Sequence, residues 1–322
     1  MKIREKVRSI EEHRRNRENR YAVILAGGEG TRLRPITQAI AGDDRPKQFC
    51  KILGDKTLLD LTRERTNSDV PAANTFFSLT KKHERFYDPL LANLDEGQMV
   101  IQPEGRGTAP AILYSLFRIA KVNPTATVAF FPSDHYFSDD ASFMNHVSAA
   151  FDMARSNTTS IVLLGIEAEK PETSYGWIEP ANSLFGDLAK AVTRVKRFWE
   201  KPTFGVAKHL HASGCLWNSF VMVGRVDTFL EMFKKHLPEL FRMFSAASKL
   251  MGTNQETAVI RSIYDWIEEI NFSSEVLENS SGELLVMRVR NVGWSDWGEP
   301  ARVIDTLNSL GVQPQWLQAL AA

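Results

Sequence analysis

Short apolar segments alternate with segments of helical periodicity along the first half of the chain, which is the pattern of layered α/β folds. Ile112, Leu116 and Ile119 recur at helical spacing behind Thr108, a residue type that caps helices, and Pro110 falls in the first helical turn. Five apolar segments predict strands, at residues 21–26, 75–79, 99–102, 127–131 and 161–166. These strands are candidates for a parallel sheet.

The second half has a less regular pattern. It predicts further strands at 192–199, 219–223 and 284–289, helices at 227–236 and 255–269, and a closing helix from Pro300 to the end. Because no repeat, low-complexity tract or Gly/Ser linker divides the chain, we expect one continuous domain from residue 21 to residue 322.

Composition describes an ordinary soluble protein. In 322 residues, 39 Lys and Arg balance 39 Asp and Glu, and 43% of residues are hydrophobic. Zero net charge argues against a nucleic-acid binder held by overall charge. The apolar segments are shorter than the roughly 20 residues of a membrane helix, so no membrane span is expected. Two cysteines, Cys50 and Cys215, without a Cys/His cluster disfavour a disulfide framework and a structural zinc.

The first twenty residues carry eight Lys or Arg against four Asp or Glu, a net charge of +4. They contain no apolar core of a secretory signal, so we expect a cytoplasmic protein with a basic N-terminal extension. A solvated extension is the simplest interpretation of residues 1–20. The alternative is a contact with a partner or with a second copy in a homodimer.

A glycine-rich loop follows the first strand, at 27–33 (Gly-Gly-Glu-Gly-Thr-Arg-Leu). Backbone amides without a neighbouring Cβ can approach an anion closely, so this loop can hold a phosphate. A tight turn is the alternative for the glycines alone. The spacing excludes a P-loop, and Leu33 stands where the dinucleotide fingerprint needs a third glycine. Nearby basic residues favour a triphosphate: Arg32, Arg34, Arg45 and Lys47.

Residues 25–37 (Leu-Ala-Gly-Gly-Glu-Gly-Thr-Arg-Leu-Arg-Pro-Ile-Thr) and 45–49 (Arg-Pro-Lys-Gln-Phe) resemble the signature of the sugar-1-phosphate nucleotidyltransferases, most closely the mannose-1-phosphate guanylyltransferases. The resemblance implies a Rossmann-like α/β nucleotidyltransferase fold, a mainly parallel mixed sheet flanked by helices. It implies that Arg32 and Lys47 stabilise the phosphates. The loop residues implied to bind the nucleotide are Ala26, Gly27, Gly28, Gly30, Thr31 and Arg32.

Residues 102–112 (Gln-Pro-Glu-Gly-Arg-Gly-Thr-Ala-Pro-Ala-Ile) are similar to the family's base-recognition segment, Glu-Pro-x-x-Arg-Asn-Thr-Ala-Pro-Ala. This similarity implies that Gln102, Arg106 and Thr108 bind the nucleotide. Gln102 replaces the family's acid and Gly107 replaces its asparagine, so the choice of base stays open. Without the resemblance, the segment is equally a helix N-terminus with an arginine in the preceding loop.

Two aspartates are implied as ligands of a catalytic Mg²⁺. Residues 132–135 (Pro-Ser-Asp-His) resemble the family block whose aspartate, here Asp134, binds the metal, and Asp296 in 293–298 (Gly-Trp-Ser-Asp-Trp-Gly) matches the second ligand. A hard cation takes one or two carboxylates plus substrate phosphates. Taken alone, each aspartate is equally a turn residue or helix cap. His135 is expected near the metal but not on it, because magnesium disfavours imidazole.

Residues 172–179 (Glu-Thr-Ser-Tyr-Gly-Trp-Ile-Glu) and 198–202 (Phe-Trp-Glu-Lys-Pro) resemble the family's sugar-binding blocks, and 215–220 matches a third block in part, with Phe220 where glycine is usual. Carboxylates accept bonds from sugar hydroxyls, and a lysine offers a point charge to the sugar phosphate. The implied sugar-phosphate residues are Tyr175, Gly176, Glu179, Glu200, Lys201 and Asn218.

The sequence therefore predicts transfer of a nucleotidyl group from GTP to mannose 1-phosphate, giving GDP-mannose and pyrophosphate, with another base or hexose left open. Residues 21–165 would bind the nucleotide, 166–299 the sugar phosphate, and 300–322 would close the domain. The chain after Asp296 is too short for an appended cupin or β-helix, so a single activity is expected. A non-catalytic nucleotide-sugar-binding regulatory protein is disfavoured by the retained Asp134, Asp296, Arg32 and Lys47. A nicotinamide oxidoreductase is disfavoured by the missing third glycine.

Overall fold

A nine-stranded mixed sheet organises the computed structural model, which describes residues 16–181 and 192–321. The strands are β1 (Arg20–Leu25), β2 (Thr75–Thr80), β3 (Met99–Gln102), β4 (Thr127–Pro132), β5 (Ile161–Glu167), β6 (Trp177–Pro180), β7 (Val192–Trp199), β8 (Leu216–Arg225) and β9 (Leu284–Val289). Their order is β3-β2-β1-β4-β8-β5-β9-β7-β6, and β6 also pairs with β8. Strands β3, β2, β1 and β4 are mutually parallel, as are β5 and β9, whereas β8 and β7 pair antiparallel with their neighbours.

Helices cover both faces of this sheet. They are α1 (Arg34–Ala41), α2 (Leu58–Asn67), α3 (Glu84–Leu91), α4 (Thr108–Val122), α5 (Asp140–Ser156), α6 (Phe204–Ala212), α7 (Val226–His236), α8 (Pro238–Ala247), α9 (Glu256–Tyr264), α10 (Pro300–Ser309) and α11 (Gln315–Ala321). Successive residues of a strand point to opposite faces. In β4, Val128 and Phe130 pack in the core with α4, α7, α8 and α9, whereas Ala129 and Phe131 pack in the core with α5 and α6. The α/β fold class is confirmed.

Three predicted elements differ in extent or pairing. The fifth predicted strand, β5, joins the first four through the antiparallel β8, because β8 inserts between β4 and β5. The helix predicted at 255–269 ends at Tyr264, and the chain then turns back towards the sheet. The single closing helix predicted from Pro300 is wrong: α10 ends at Ser309, and Gly311 and Pro314 separate it from α11.

The predicted N-terminal extension falls mostly outside the described residues. Within them, Arg20 is the first residue of β1, and its guanidinium donates to the carboxylate of Asp69 at 2.5 Å and to that of Asp152 at 3.1 Å. In the described ranges, none of the helices is both long and apolar enough to cross a membrane.

Candidate active site

A cavity of about 600 Å³ opens at one edge of the sheet. The last residues of the four parallel strands line it: Leu25, Thr80, Gln102 and Pro132. Open α/β sheets bind their ligands outside the carboxyl ends of the strands, so this is the expected place for a site. The predicted site residues that line the cavity are Gly27, Gly28, Gln102, Thr108, Asp134, Tyr175, Gly176, Glu200, Asn218 and Asp296.

The glycine loop is fixed against the ends of the neighbouring strands. Thr80 donates its hydroxyl to the carbonyl of Gly27 at 3.0 Å, and a Cβ at Gly27 would lie 2.8 Å from that hydroxyl oxygen. Only glycine allows this approach. The side-chain amide of Gln48 donates to the carbonyls of Ala26 and Gly28 at 3.0 and 2.8 Å, so the loop backbone is held from both sides.

Lys47 is the cation that the structure brings closest to the two aspartates. Its side chain is 7% exposed, and its ammonium lies 3.2 Å from Oδ2 of Asp134. The same ammonium donates to the backbone carbonyls of Asp296 at 2.6 Å and Trp297 at 2.9 Å. Lys47 therefore links the end of β4 to the loop that carries the second aspartate.

Asp296 has one carboxylate oxygen fully engaged by protein donors. Its Oδ1 accepts bonds from the Tyr175 hydroxyl at 3.0 Å, the Gly298 amide at 2.9 Å and the Arg302 guanidinium at 2.7 Å. Burial alone would raise the pKa of the Asp296 carboxyl, but the surrounding positive charge, including Arg302, lowers it below its ordinary value. Asp296 is thus held ionised in a fixed orientation.

The two aspartates fit a hard divalent cation. Both line the same cavity, the side chain of Asp134 is 30% exposed, and Oδ2 of Asp296 accepts no hydrogen bond from a described residue. The described residues contain no group of three or more metal-binding side chains. A magnesium ion usually takes only one or two carboxylates and completes its shell with water and substrate phosphates, so two aspartates suffice.

Tyr175, Gly176, Glu200 and Asn218 come together at the other end of the cavity. A Cβ at Gly176 would lie 3.2 Å from Oε2 of Glu200 and 3.3 Å from Cβ of Asn218, so the three residues are in direct proximity. Burial raises the pKa of the Glu200 carboxyl, against the opposing charge of Lys201. This end offers a carboxylate and an amide to hydroxyl groups of a ligand.

Phe220 also lines the cavity, in an irregular part of β8. Its φ is 59°, in the left-handed region that favours glycine, and its amide donates to Oδ1 of Asn218 at 3.1 Å. Two residues of β5, Leu163 and Gly165, bracket this break in the pairing register. The bulge turns the Phe220 side chain into the wall of the cavity.

Several predicted site residues do not line the cavity. The Arg32 guanidinium lies 3.7 Å from Glu299, and Arg106 pairs with Glu104 at 2.7 Å. Glu179 accepts from Lys196 at 2.6 Å, on the surface of β6. The residues outside the lining are Ala26, Gly30, Thr31, Arg32, Lys47, Arg106, Glu179 and Lys201. Of these, only the buried Lys47 bonds to both aspartate-bearing segments.

Sequence analysis missed one wall of the site. Residues 269, 271 and 273 line the cavity although they lie far from every motif. Arg302, which donates to Asp296 and to the Ser174 hydroxyl at 2.5 Å, was also missed. Gln48 could have been found, because it stands inside the Arg-Pro-Lys-Gln-Phe segment and is polar next to the loop. Nothing in the local sequence marks residues 269–273.

A buried lysine, a glycine loop and two aspartates at the carboxyl ends of parallel strands define a phosphate-binding site of the nucleotide-binding α/β class. A family model described as "Nucleotidyl transferase" matches residues 21–311, and the chain belongs to this family.

Characterised relatives match most of this chain. The alginate biosynthesis protein AlgA of Pseudomonas aeruginosa is 29% identical over 287 residues, which cover 88% of this chain and 57% of that protein. The mannose-1-phosphate guanylyltransferase of Salmonella montevideo is 29% identical over 290 residues, 86% of this chain and 57% of that protein. This chain therefore spans little more than half the length of these relatives.

A solved structure described as a mannose-1-phosphate geranyltransferase from Thermus thermophilus superposes with a TM-score of 0.73 at 27% identity, covering 87% of this chain and 76% of that one. The fold implied by the sequence resemblance is confirmed.

Proposed function

We propose that the protein transfers a nucleotidyl group from a nucleoside triphosphate, preferably GTP, to a sugar 1-phosphate, preferably mannose 1-phosphate. The observation that carries this proposal is Lys47, a buried ammonium between Asp134 and the Asp296 loop, beside a glycine loop. The names of the relatives support the choice of sugar and base. We assign residues 21–165 mainly to the nucleotide and 166–299 mainly to the sugar phosphate, in a cytoplasmic protein.

In this reaction an oxygen of the sugar phosphate attacks the α-phosphorus in line. A new P–O bond forms while the bond from the α-phosphorus to the oxygen shared with the β-phosphorus breaks, and pyrophosphate leaves with that oxygen. No protein nucleophile is required, so the protein contributes positioning and charge. The amides of Gly27 and Gly28 can approach phosphate oxygens, and Glu200 and Asn218 can orient the sugar.

The charge of the reacting phosphates must be neutralised. Lys47 supplies a fixed positive charge in a buried place, where electrostatic interactions are stronger than in water. Asp134 and Asp296 would hold a magnesium ion, which when bound adds positive charge at the phosphate oxygens. Arg302 and Tyr175 keep the Asp296 carboxylate in one orientation.

The test is a matrix of four nucleoside triphosphates against several hexose 1-phosphates, with magnesium present and pyrophosphate detected. The proposal predicts saturable pyrophosphate release that is greatest with GTP and mannose 1-phosphate. Binding of a nucleotide sugar without pyrophosphate release from any pair would instead indicate a regulatory protein on this fold. Release with a different pair would retain the chemistry and replace the substrates.

A further inference from the structure

Gln102, at the end of β3, has no free hydrogen-bonding edge for a base. Its amide nitrogen donates to the Ser78 hydroxyl at 3.2 Å and the Leu79 carbonyl at 3.4 Å, and its carbonyl oxygen accepts from the Tyr264 hydroxyl at 3.0 Å. The residue is 2% exposed. The protein already uses both ends of this amide, so base reading at this end of the cavity needs other side chains.

Residues 264–273 form that other wall, and it is bonded closely to the loop before α4. The Ile270 amide donates to the Arg106 carbonyl, and the Ala109 amide donates to the Ile270 carbonyl, both at 3.0 Å. The Phe272 amide donates to the Thr108 hydroxyl at 2.8 Å. Ile270 lies so close to residue 107 that a Cβ there would be 2.3 Å from the Ile270 carbonyl oxygen. Residues 269–271 therefore lie directly over Gly107.

Two side chains of this wall line the cavity with free polar atoms. Glu269 is exposed to the cavity and forms neither a hydrogen bond nor an ion pair with any residue in the described ranges. Asn271 accepts from the Ser273 amide through Oδ1 at 2.7 Å, which leaves its Nδ2 without a partner among the same residues. One carboxylate and one amide donor are thus available two residues apart.

We propose that Glu269 and Asn271 read the base of the nucleoside triphosphate, and that they select guanine. This inference rests on the nucleotidyl transfer proposed above. Guanine presents two adjacent N–H donors, at N1 and the 2-amino group, which match the two oxygens of one carboxylate. Its O6 stands beside them and accepts from an amide such as Nδ2 of Asn271. Adenine presents a donor next to an acceptor on the same edge and does not match a carboxylate.

Inosine triphosphate provides the direct test, because its base keeps N1–H and O6 but lacks the 2-amino group. We compare kcat/KM for GTP and ITP, with mannose 1-phosphate and magnesium, in the wild type and in Glu269→Gln. The amide of glutamine places a donor against a donor of guanine. We expect kcat/KM for GTP to fall about 10- to 100-fold, as for loss of hydrogen bonds to a charged group, and the GTP/ITP ratio to approach one.

Two further variants separate base reading from general damage. Glu268→Gln changes the neighbouring exposed carboxylate, which is outside the cavity lining, and should leave both kinetic values unchanged. Asn271→Asp keeps the Oδ1 acceptor for the Ser273 amide but replaces the free donor with an acceptor, so it should also weaken GTP about tenfold or more.

A wild-type GTP/ITP ratio that Glu269→Gln leaves intact would overturn the proposal, and so would equal use of ATP and GTP by the wild type. If the wild type releases no pyrophosphate with any pair, the proposed function has failed. The ratio is then measured by calorimetric binding of GTP and ITP. Loss of GTP preference in Glu269→Gln supports the assignment of Glu269, whereas an unchanged preference overturns it.

Discussion

The ammonium of Lys47 lies 3.2 Å from the carboxylate of Asp134 while it donates to the backbone carbonyl of Asp296, 249 residues further along the chain. One buried cation therefore joins the end of β4 to the loop of the second aspartate. Both the charge of the site and the relative position of the two aspartates depend on this side chain.

Lys47→Met should lower kcat by at least about a hundredfold, the scale of losing one preorganised charged group. It should also lower the free energy of unfolding by about 1–3 kcal/mol, because two backbone carbonyls lose their donor. Pyrophosphate release and urea unfolding measure the two effects. Lys51→Met is the matched control, since Lys51 is exposed on the same segment. Turnover near the wild-type value in Lys47→Met would contradict the assigned role.

Asp134→Asn keeps the shape of the side chain and removes its charge. Turnover at saturating magnesium should fall by at least about a hundredfold, and the magnesium concentration for half-maximal rate should rise. Asp55→Asn, at an exposed position away from the cavity, is the control for a surface charge change. Near-normal turnover of Asp134→Asn in the magnesium assay would rule out Asp134 as a metal ligand.

How far the sequence could predict this site depends on how local each part is. Gly27 and Asp134 follow predicted strands directly, and the carboxyl ends of parallel strands meet at one edge, so their proximity could be expected. Tyr264 and Gln102 are 162 residues apart, and only the folded chain brings the wall at 264–273 onto α4. Likewise, Glu179 and Glu200 both match sugar blocks, but the pleat of β6 directs Glu179 to Lys196 instead.

Gly107 and Gly105 provide a matched pair in one loop. An alanine Cβ at Gly107, where φ is 82°, would lie 2.3 Å from the Ile270 carbonyl, whereas a Cβ at Gly105 meets no atom within 4 Å. Gly107→Ala should destabilise the protein by about 2 kcal/mol or more, through positive φ and the backbone contact. Gly105→Ala should change stability by no more than about 0.5 kcal/mol. Equal unfolding midpoints in urea for the two variants would contradict the packing of Ile270 on Gly107.

Phe220 has the left-handed backbone that an L side chain adopts only at a cost of about 1–2 kcal/mol. Phe220→Ala and Phe220→Gly both remove the ring, but only glycine removes the strain. Phe220→Gly should therefore be about 1 kcal/mol more stable than Phe220→Ala, the reverse of the usual order in a strand. Urea unfolding of the two variants measures the difference. A Phe220→Ala protein at least as stable as Phe220→Gly would show that the backbone at this position is unstrained.

Glu200 should make stability and sugar binding respond in opposite directions. Burial raises the pKa of the Glu200 carboxyl above its ordinary value of 4.5, so the folded state favours the neutral form. The stabilisation from binding this proton is complete below about pH 4.5 and is lost as the pH rises through the raised pKa of the folded state. At pH 7 the ionised carboxylate is therefore unfavourable, and Glu200→Gln should raise the thermal unfolding temperature there.

The gain in Glu200→Gln should shrink as the pH is lowered towards 4.5, while KM for mannose 1-phosphate at pH 7 rises about tenfold because a charged acceptor for sugar hydroxyls is lost. Glu179→Gln is the matched contrast. The hydrogen bond from Lys196 lowers the pKa of the Glu179 carboxyl, so its neutral variant should lose stability at pH 7. Thermal unfolding at pH 7 and 4.5 measures both signs. A Glu200→Gln protein that is less stable than the wild type at pH 7 would show that its carboxylate is paired in the folded protein rather than desolvated for the substrate.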